Sequence, residues 1–519
     1  MHRFLQRHKE SVIGMLSGFD RIRFRGSLRL LAHVGGMMSF LSHQSVLLKH
    51  FKEYACGVTE QVRLAAIKLA EQAGRPFQYL SSSATSKEDL ARSIAQEDRI
   101  EEGLIAVFRC VEPCRSYEVH RNRETKHLEL HNCLMKCLHY YFYFQHPRLG
   151  FLHARLQSWF PFTLHVCING REWLARQLNR AQISHEQRDN CLVWVKDVAR
   201  AQRLLDQQLR TDWVRLLDGI ARQVHPMRTK ILARCPVEYY WSAEQSEWAS
   251  DVLFRSPAFL ANHYPRWLLH GITNLGSRDV LRFLGRHVPA SGFGRLAAEV
   301  KTDLRQRTEG TRLKHFVNQN SIKMYDKQGS VLRIETTINR PYDIKVYRPK
   351  EGDEDGDKQW RCLRQGVADM HRRAEVSQAA NERYLDSLTS VEESVSLEQL
   401  TQPLCQPTTW KGRRVRGLQP LGKEDAALLQ AVNRGEFVIH GFRNRDLRAL
   451  LYSTARATPA ELRRQSAAVT RKLRLLRAHH LIKKVPHTHR YQVTDEGRNV
   501  IAALLAARQA NTTKLLQAA

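Results

Sequence analysis

Between Gly103 and Asn169 the chain reads as a succession of short apolar or alternating runs: LIAVFRCVE, SYEVHR, HLELHN, CLHYYFYFQ and FTLHVCING. Pro113, Pro147 and Pro161 interrupt them. Runs of this length with a period of two, punctuated by proline, predict an antiparallel sheet rather than helices. A second β segment is expected at about 311–348. In it NSIKMYDK and VLRIETTI flank a Gln328-Gly329 turn. A further strand is expected near Phe19–Arg25, where Phe19, Ile22 and Phe24 are interleaved with Arg21, Arg23 and Arg25, giving one basic face.

Helical periodicity surrounds these strands. It covers the text up to about Gln78, a helix capped by Ser86, the stretches REWLARQLNRA and VKDVARAQRLLDQQLRTDWVRLLDGIARQV, most of 238–300 after a short aromatic segment, EYYWSAEQSEW, and about 359–388. The expected class is therefore α+β: a large N-terminal part of mixed antiparallel sheet and helix, plus a C-terminal winged helix-turn-helix. The expected divisions are an α/β segment at 1–100, a sheet and long-helix core at 101–395, a linker at 396–421 and the winged helix at 422–519. The linker is placed where prolines, glycines and the basic cluster KGRRVR coincide.

Charge narrows the function classes. The 519 residues carry a formal +30, so an anionic partner is expected, and for a basic chain of this size that partner is nucleic acid. The charge is also localised. Residues 403–519 hold 22 Lys+Arg against 7 Asp+Glu, net +15, whereas 351–400 hold 6 against 12, net −6. No apolar run approaches the ~18 residues of a membrane helix, so no membrane partner is expected. The N-terminus has no signal-peptide pattern, and the ten scattered cysteines fit reduced thiols. Both point to a cytoplasmic location.

The C-terminal text carries the most specific pattern. KEDAALLQAVNRG, a segment starting near Asn444, and PAELRRQSAAVTRKLRLLRAHH read as three helices. In the third, Leu462, Ser466, Val469, Leu473 and Leu476 form one stripe. Strands at Leu481–Val485 and Tyr491–Thr494 follow, then a helix capped by Asp495. This order, with the text LRAHHLIKKVPHTHRYQVTDEGR, resembles bacterial winged-helix regulators of the MarR-like group over about 425–519. The resemblance implies a third helix in a DNA major groove and a wing on phosphate or the minor groove. Arg463, Arg464, Gln465, Arg471 and Arg474 are the groove candidates, because arginine and glutamine can read base edges and arginine can pair with phosphate. Lys483, Lys484, His487, His489 and Arg490 are the wing candidates. DNA is the favoured nucleic acid, RNA is an alternative, and a homodimer on a palindromic site would suit a regulator.

The hairpin 320–339 gathers ionisable groups. Alternation would place Lys323, Tyr325, Lys327, Arg333 and Glu335 on one face, with Met324, Leu332 and Ile334 packed on the other. Cations there, with Lys323 and Arg333 foremost, could hold a phosphate, and the carboxylate could hold Mg2+ or Mn2+. The block KMYDK…LRIE resembles a strand pair of plasmid rolling-circle replication initiators, which are metal-dependent nickases with a tyrosine nucleophile. That resemblance implies Tyr325 or Tyr384 as nucleophile, Glu335 as metal ligand and Lys327 in the site. The match is incomplete, since RLKHF with His315 stands where the initiators carry a tyrosine. An exposed strand pair of charged residues with no chemistry is the competing reading.

Other groupings have ordinary explanations beside functional ones. Cys110, Cys114, Cys133 and Cys137 with His127, His131 and His139 could hold zinc or be sheet residues. The aromatics of CLHYYFYF and LQSWFPF could stack bases or fill a core. Glu238, Glu244, Glu247 and Asp251 could bind a cation or decorate a helix surface. Asp20 could pair with Arg21 or Arg23. The phrases GFDRIRFRGSL, NGREWLA, NSIKMYDK and LRAHHLIKKV are similar to a group of bacterial proteins from which no activity follows. A mobile-element, plasmid or regulatory setting is expected.

Overall fold

A computed structural model describes residues 3–81, 85–285, 300–350, 352–353, 356–389, 397–434, 436–437, 441–452, 458–486 and 488–510. The chain is α+β. In chain order its strands are β1 (Val12–Leu28), β2 (Phe77–Tyr79), β3 (Gly103–Arg121), β4 (Leu128–His146), β5 (Gly150–Gln157), β6 (Leu164–Asn169), β7 (His185–Gln187), β8 (Leu192–Val195), β9 (Tyr239–Phe254), β10 (Val300–Arg307), β11 (Gly310–Val317), β12 (Asn320–Lys327), β13 (Val331–Ile338), β14 (Lys345–Arg348), β15 (Gln359–Cys362), β16 (Thr408–Trp410), β17 (Arg413–Val415), β18 (Ile482–Lys484) and β19 (Tyr491–Val493).

Two compact units form, and neither is a continuous stretch. One comprises 1–14, 254–334 and 379–519; the other comprises 15–253 and 335–378. The linear division into 1–100, 101–395 and 422–519 is thus not how the chain partitions. Sheet pairing is the reason, because it joins strands far apart in sequence.

In the unit of 15–253 and 335–378 the strands run in the order β9-β1-β6-β5-β4-β3-β2, with the 335–338 end of β13 beside β9. The pairs β1/β6, β6/β5, β5/β4 and β4/β3 are antiparallel. The runs expected separately over 103–146 are one long hairpin, since β3 and β4 are 19 residues each. Pro113 does not end β3. The neighbouring β2 reaches only to Arg109, so at Pro113 no partner on that side needs its missing N–H.

Two helical expectations fail here. The aromatic segment EYYWSAEQSEW and the text after it, expected as helix, form one strand, β9, because Tyr239, Trp241 and Ala243 alternate into the interior with Tyr240 outside. The long helix expected over 195–224 is two helices, Val198–Leu205 and Trp213–Val224. The Asp212 side chain caps the second by accepting from the Arg215 N–H at 3.0 Å. Ser86 caps its helix as expected.

In the other unit, β10-β11-β12 lie side by side, and Gln328 and Gly329 take positive φ in the turn after β12. Its C-terminal portion contains helices Lys423–Val432, Asn444–Leu451, Pro459–Ala478 and Asp495–Gln509, with the hairpin β18/β19 before the last. Val469, Leu473 and Leu476 of the third helix are buried in one core with Leu428, Leu447, Ile482, Val493 and Ile501. The last helix is capped by Thr494, whose hydroxyl accepts from Gly497 N–H at 2.9 Å, rather than by Asp495. The expected linker is structured. It forms the helix Leu397–Cys405 and the hairpin β16/β17, and it contributes Leu404 and Leu418 to the same core. Apolar residues spaced between its prolines were the sign that it packs.

Candidate functional site

Three carboxylates from distant parts of the sequence meet on neighbouring strands. Asp20 (β1), Glu247 (β9) and Glu335 (β13) each place a carboxylate oxygen within 4.8 Å of the others. Asp20 and Glu335 are each 2% exposed. Cross-strand contacts explain the meeting of the first two. Ser17 Oγ lies 3.0 Å from Ser250 Oγ, the Phe19 and Trp248 rings are 4.9 Å apart, and Arg23 Nε is 2.8 Å from Glu244. That register sets Asp20 level with Glu247.

The surroundings hold Asp20 in place. Asn190, in the β7–β8 turn, donates from Nδ2 to both Asp20 oxygens at 3.0 Å. Arg171 is the second residue of the helix Gly170–Arg180, and Gly170 has no room for a β-carbon against the Phe19 carbonyl, so this helix start sits tightly on β1. Arg171 is fully buried. Its guanidinium is 2.8 Å from Asp251 and 4.0 Å from Asp20. Burial would lower the Arg21 pKa, yet Glu247, Asp20, Glu88 and Glu335 together hold it above its ordinary value. The field at this point is anionic.

Three oxygen donors of this kind suit a hard divalent cation such as Mg2+ or Mn2+. Ligand oxygens about a Mg2+ ion, at roughly 2.1 Å from the metal, lie about 3–4 Å apart. The residues present therefore fit such an ion with small side-chain movements. Among the described residues this is the one group of His, Cys, Asp or Glu with metal-binding spacing. The Cys/His residues of 110–139 do not form another. They are spread along β3 and β4, where Cys110 faces His139 but Cys114 faces Met135, Cys133 faces Ser116 and His131 faces Glu118, and His127 precedes β4.

The hairpin of 320–339 does not present an open charged face. Lys323, Tyr325 and Lys327 are 7%, 6% and 4% exposed, and Arg333 is 1% exposed. Every residue of β13 is buried, so both its faces are covered, not one. Lys327 Nζ is 3.0 Å from Glu309. Tyr384 is enclosed in the helix Met370–Leu388. Its hydroxyl lies 3.3 Å from His315 Nε2, its ring packs on Phe283, and burial raises its pKa. Of the catalytic candidates only Glu335 belongs to the carboxylate group. The other two members stood among residues with bland readings, Asp20 as an ion-pair partner and Glu247 as a helix-surface charge. The neighbours of Glu247 are engaged elsewhere: Asp251 with Arg171, Glu244 with Arg23, and Glu238 with Arg228. The aromatics of CLHYYFYF and LQSWFPF are largely core, with Tyr140, Phe142, Phe160 and Phe162 fully buried.

The C-terminal candidates lie where a polyanion could reach them. Arg463, Arg464, Arg471 and Arg474 are exposed on the helix Pro459–Ala478, and Gln465 is half-buried. Lys483 and Lys484 are exposed on β18, His489 is exposed, and Arg490 is half-buried. His487 lies outside the described residues. The sequence reading missed one feature here. Trp410 of β16 is flanked by Arg477 at 4.8 Å and Lys411 at 5.4 Å, beside exposed Arg413 and Arg414. The KGRR cluster was its signal. Comparison with protein-family models, with curated proteins and with solved structures returns no match for this chain.

Proposed function

We propose that the protein binds nucleic acid, with duplex DNA seated on the C-terminal helices and hairpin in the manner of a winged helix. One observation carries this reading: the helix Pro459–Ala478 buries Val469, Leu473 and Leu476 while Arg463, Arg464, Arg471 and Arg474 stand in solvent. A helix with one packed stripe and guanidinium groups on its free faces can lie along a groove. The hairpin after it places Lys483 and Lys484 within reach of the backbone. The test is duplex affinity against salt. Arg463→Ala with Arg471→Ala should lower the slope of log K on log salt by about 1–2. An unchanged slope overturns the reading. A structured RNA competing better than duplex at equal salt would make RNA the ligand.

The carboxylate group favours a second reading, cleavage of a phosphodiester with a divalent cation. Asp20, Glu247 and Glu335 would hold the ion, and Asn190 would keep Asp20 oriented toward it. A bound ion of this kind supplies an activated water and neutralises phosphate charge. The tyrosine route fits less well, because Tyr325 and Tyr384 are both enclosed. Labelled DNA incubated with Mn2+ and run on a denaturing gel decides it. Cleavage lost in Glu335→Gln supports the reading, and intact DNA with full duplex retention leaves a binding protein.

A further inference from the structure

We propose that the face formed by β1, β6, β5 and β4 is a second nucleic-acid contact that takes an unpaired nucleotide, its phosphate on arginines and its base on rings. The register assembles this face from four strands. Arg23 lies opposite Cys167 and Arg25 opposite His165 across β1/β6. His153 lies opposite Cys167 and Arg155 opposite His165 across β6/β5, and Tyr141 lies opposite Arg155 across β5/β4. The result is a cleft of about 420 Å³ lined by Arg21, Arg23, Arg92, Arg155, His153 and His165, with Tyr141 and Phe151.

Three properties of the cleft select the ligand. The first is charge: four guanidinium groups, Arg21, Arg23, Arg92 and Arg155, line the cleft with two carboxylates, Glu88 and Glu244, and Glu112 stands beside Arg155 as a third, so cations are the more numerous charge on the lining. The carboxylates also orient the cations. Arg23 meets Glu244 at 2.8 Å, Arg92 meets Glu88 at 3.1 Å, and Arg155 meets Glu112 at 2.8 Å. Arg155 Nε is buried and donates to no acceptor among the described residues, so it is a donor left for a ligand.

The second property is the rings. Burial lowers the pKa of His153 to about 4 and that of His165 to about 3, so both imidazoles are neutral at pH 7 and can donate and accept. Arg92 lies over the Phe151 ring at 4.1 Å, and Lys87 lies over Tyr141 at 4.8 Å. Phe151 is buried beneath Arg92, so on that side the surface offered to an unpaired base is the guanidinium plane, with the half-buried Tyr141 ring beside it. The third is size. The volume falls in the range of single small-ligand sites, too small to admit a duplex.

This inference is independent of the duplex contact, so the two can fail separately. The probe is a fluorescent single-stranded 12-mer on the full chain, with anisotropy read over a salt series. Arg23→Gln with Arg155→Gln should weaken single-strand binding about tenfold and lower its salt slope by about 1.4, leaving duplex binding intact. Arg25→Glu, at an exposed position, should weaken it in the same direction without touching a buried ion pair. Arg463→Ala with Arg471→Ala should spare it. Photo-crosslinks from a 5-iodouracil strand should map to β4–β6. Loss of single-strand binding in the helix variant alone, or crosslinks confined to 459–490, overturns the proposal. Displacement of the strand by equimolar mononucleotide overturns it too, because a free nucleotide would then be the ligand.

Discussion

The arginines of the Pro459–Ala478 helix and the carboxylates of β1, β9 and β13 are assembled in opposite ways. The arginines come from one continuous segment, stand in solvent, and need only a helix to be brought together. The carboxylates come from positions 20, 247 and 335, are largely buried, and meet only because three strands pair. An exposed arginine adds long-range attraction and contributes little to folding. A buried charge costs several kcal/mol to desolvate and persists only with its partners in place. The difference separates a surface that can be edited freely from a centre whose geometry and stability are one property.

The largest test of that difference is a pair of truncations. Arg171→Ala removes the guanidinium 2.8 Å from Asp251, a carboxylate that is 1% exposed. It should cost about 3–5 kcal/mol in denaturant unfolding. Arg463→Ala, on the exposed helix face, should stay within about 0.5 kcal/mol. Equal costs for the two would break the contrast at its root.

The next effect is cation binding. If Asp20, Glu247 and Glu335 hold Mn2+, adding the ion at a hundred times its dissociation constant should stabilise the chain by about 2.7 kcal/mol. Glu335→Gln should remove most of that gain, and the Arg463→Ala/Arg471→Ala variant should keep it. A melting temperature indifferent to Mn2+ would leave the carboxylates as a structural cluster.

The same contrast explains what the sequence could and could not show. Val469, Leu473 and Leu476 announce a buried stripe because helix partners are three and four residues apart, and the exposed arginines follow from that stripe. The basic face of β1 was legible for a similar reason, from alternation within seven residues. Glu335 attracted attention because its own hairpin is rich in charge, but its partners could not be named. Asp20 and Glu247 are 227 positions apart, and their adjacency depends on a β1/β9 register that no local pattern encodes. Reading Glu247 as a helix-surface charge compounded this, because on a helix it would face solvent and on β9 it faces Asp20. The enclosure of Lys323, Tyr325 and Lys327 escaped for the complementary reason. Alternation predicts two different faces only when one of them is open.

Acid stability should sharpen the comparison further. His225 is 2% exposed, its Nδ1 is 3.0 Å from the Tyr239 hydroxyl, and burial lowers its pKa to about 3. The unfolded chain takes up a proton near pH 6.5 and the folded chain refuses it. Stability contributed by this group is therefore intact above pH 6.5 and lost as pH falls toward 3, at up to about 1.4 kcal/mol per pH unit. His225→Phe should flatten the acid limb of the stability profile over that window. An unchanged limb would show that His225 is protonated in the fold.

The smallest effect is the most local. Thr458 caps the Pro459–Ala478 helix: its hydroxyl accepts from the Glu461 N–H at 3.3 Å, and the Glu461 carboxylate accepts from the Thr458 N–H at 2.8 Å. Thr458→Ala should cost about 1 kcal/mol. Because the cap fixes where the helix begins, Arg463 and Arg464 in its first turns should lose order with it, and on the proposed reading duplex affinity should fall modestly. Arg471 and Arg474, two turns further along and anchored by Leu473 and Leu476, should not be affected. The salt slope of Thr458→Ala should then lie between those of the parent and the Arg463→Ala/Arg471→Ala variant. A slope equal to the parent's would place the duplex contact on the C-terminal half of the helix, and one equal to the double variant's would place it on the capped end.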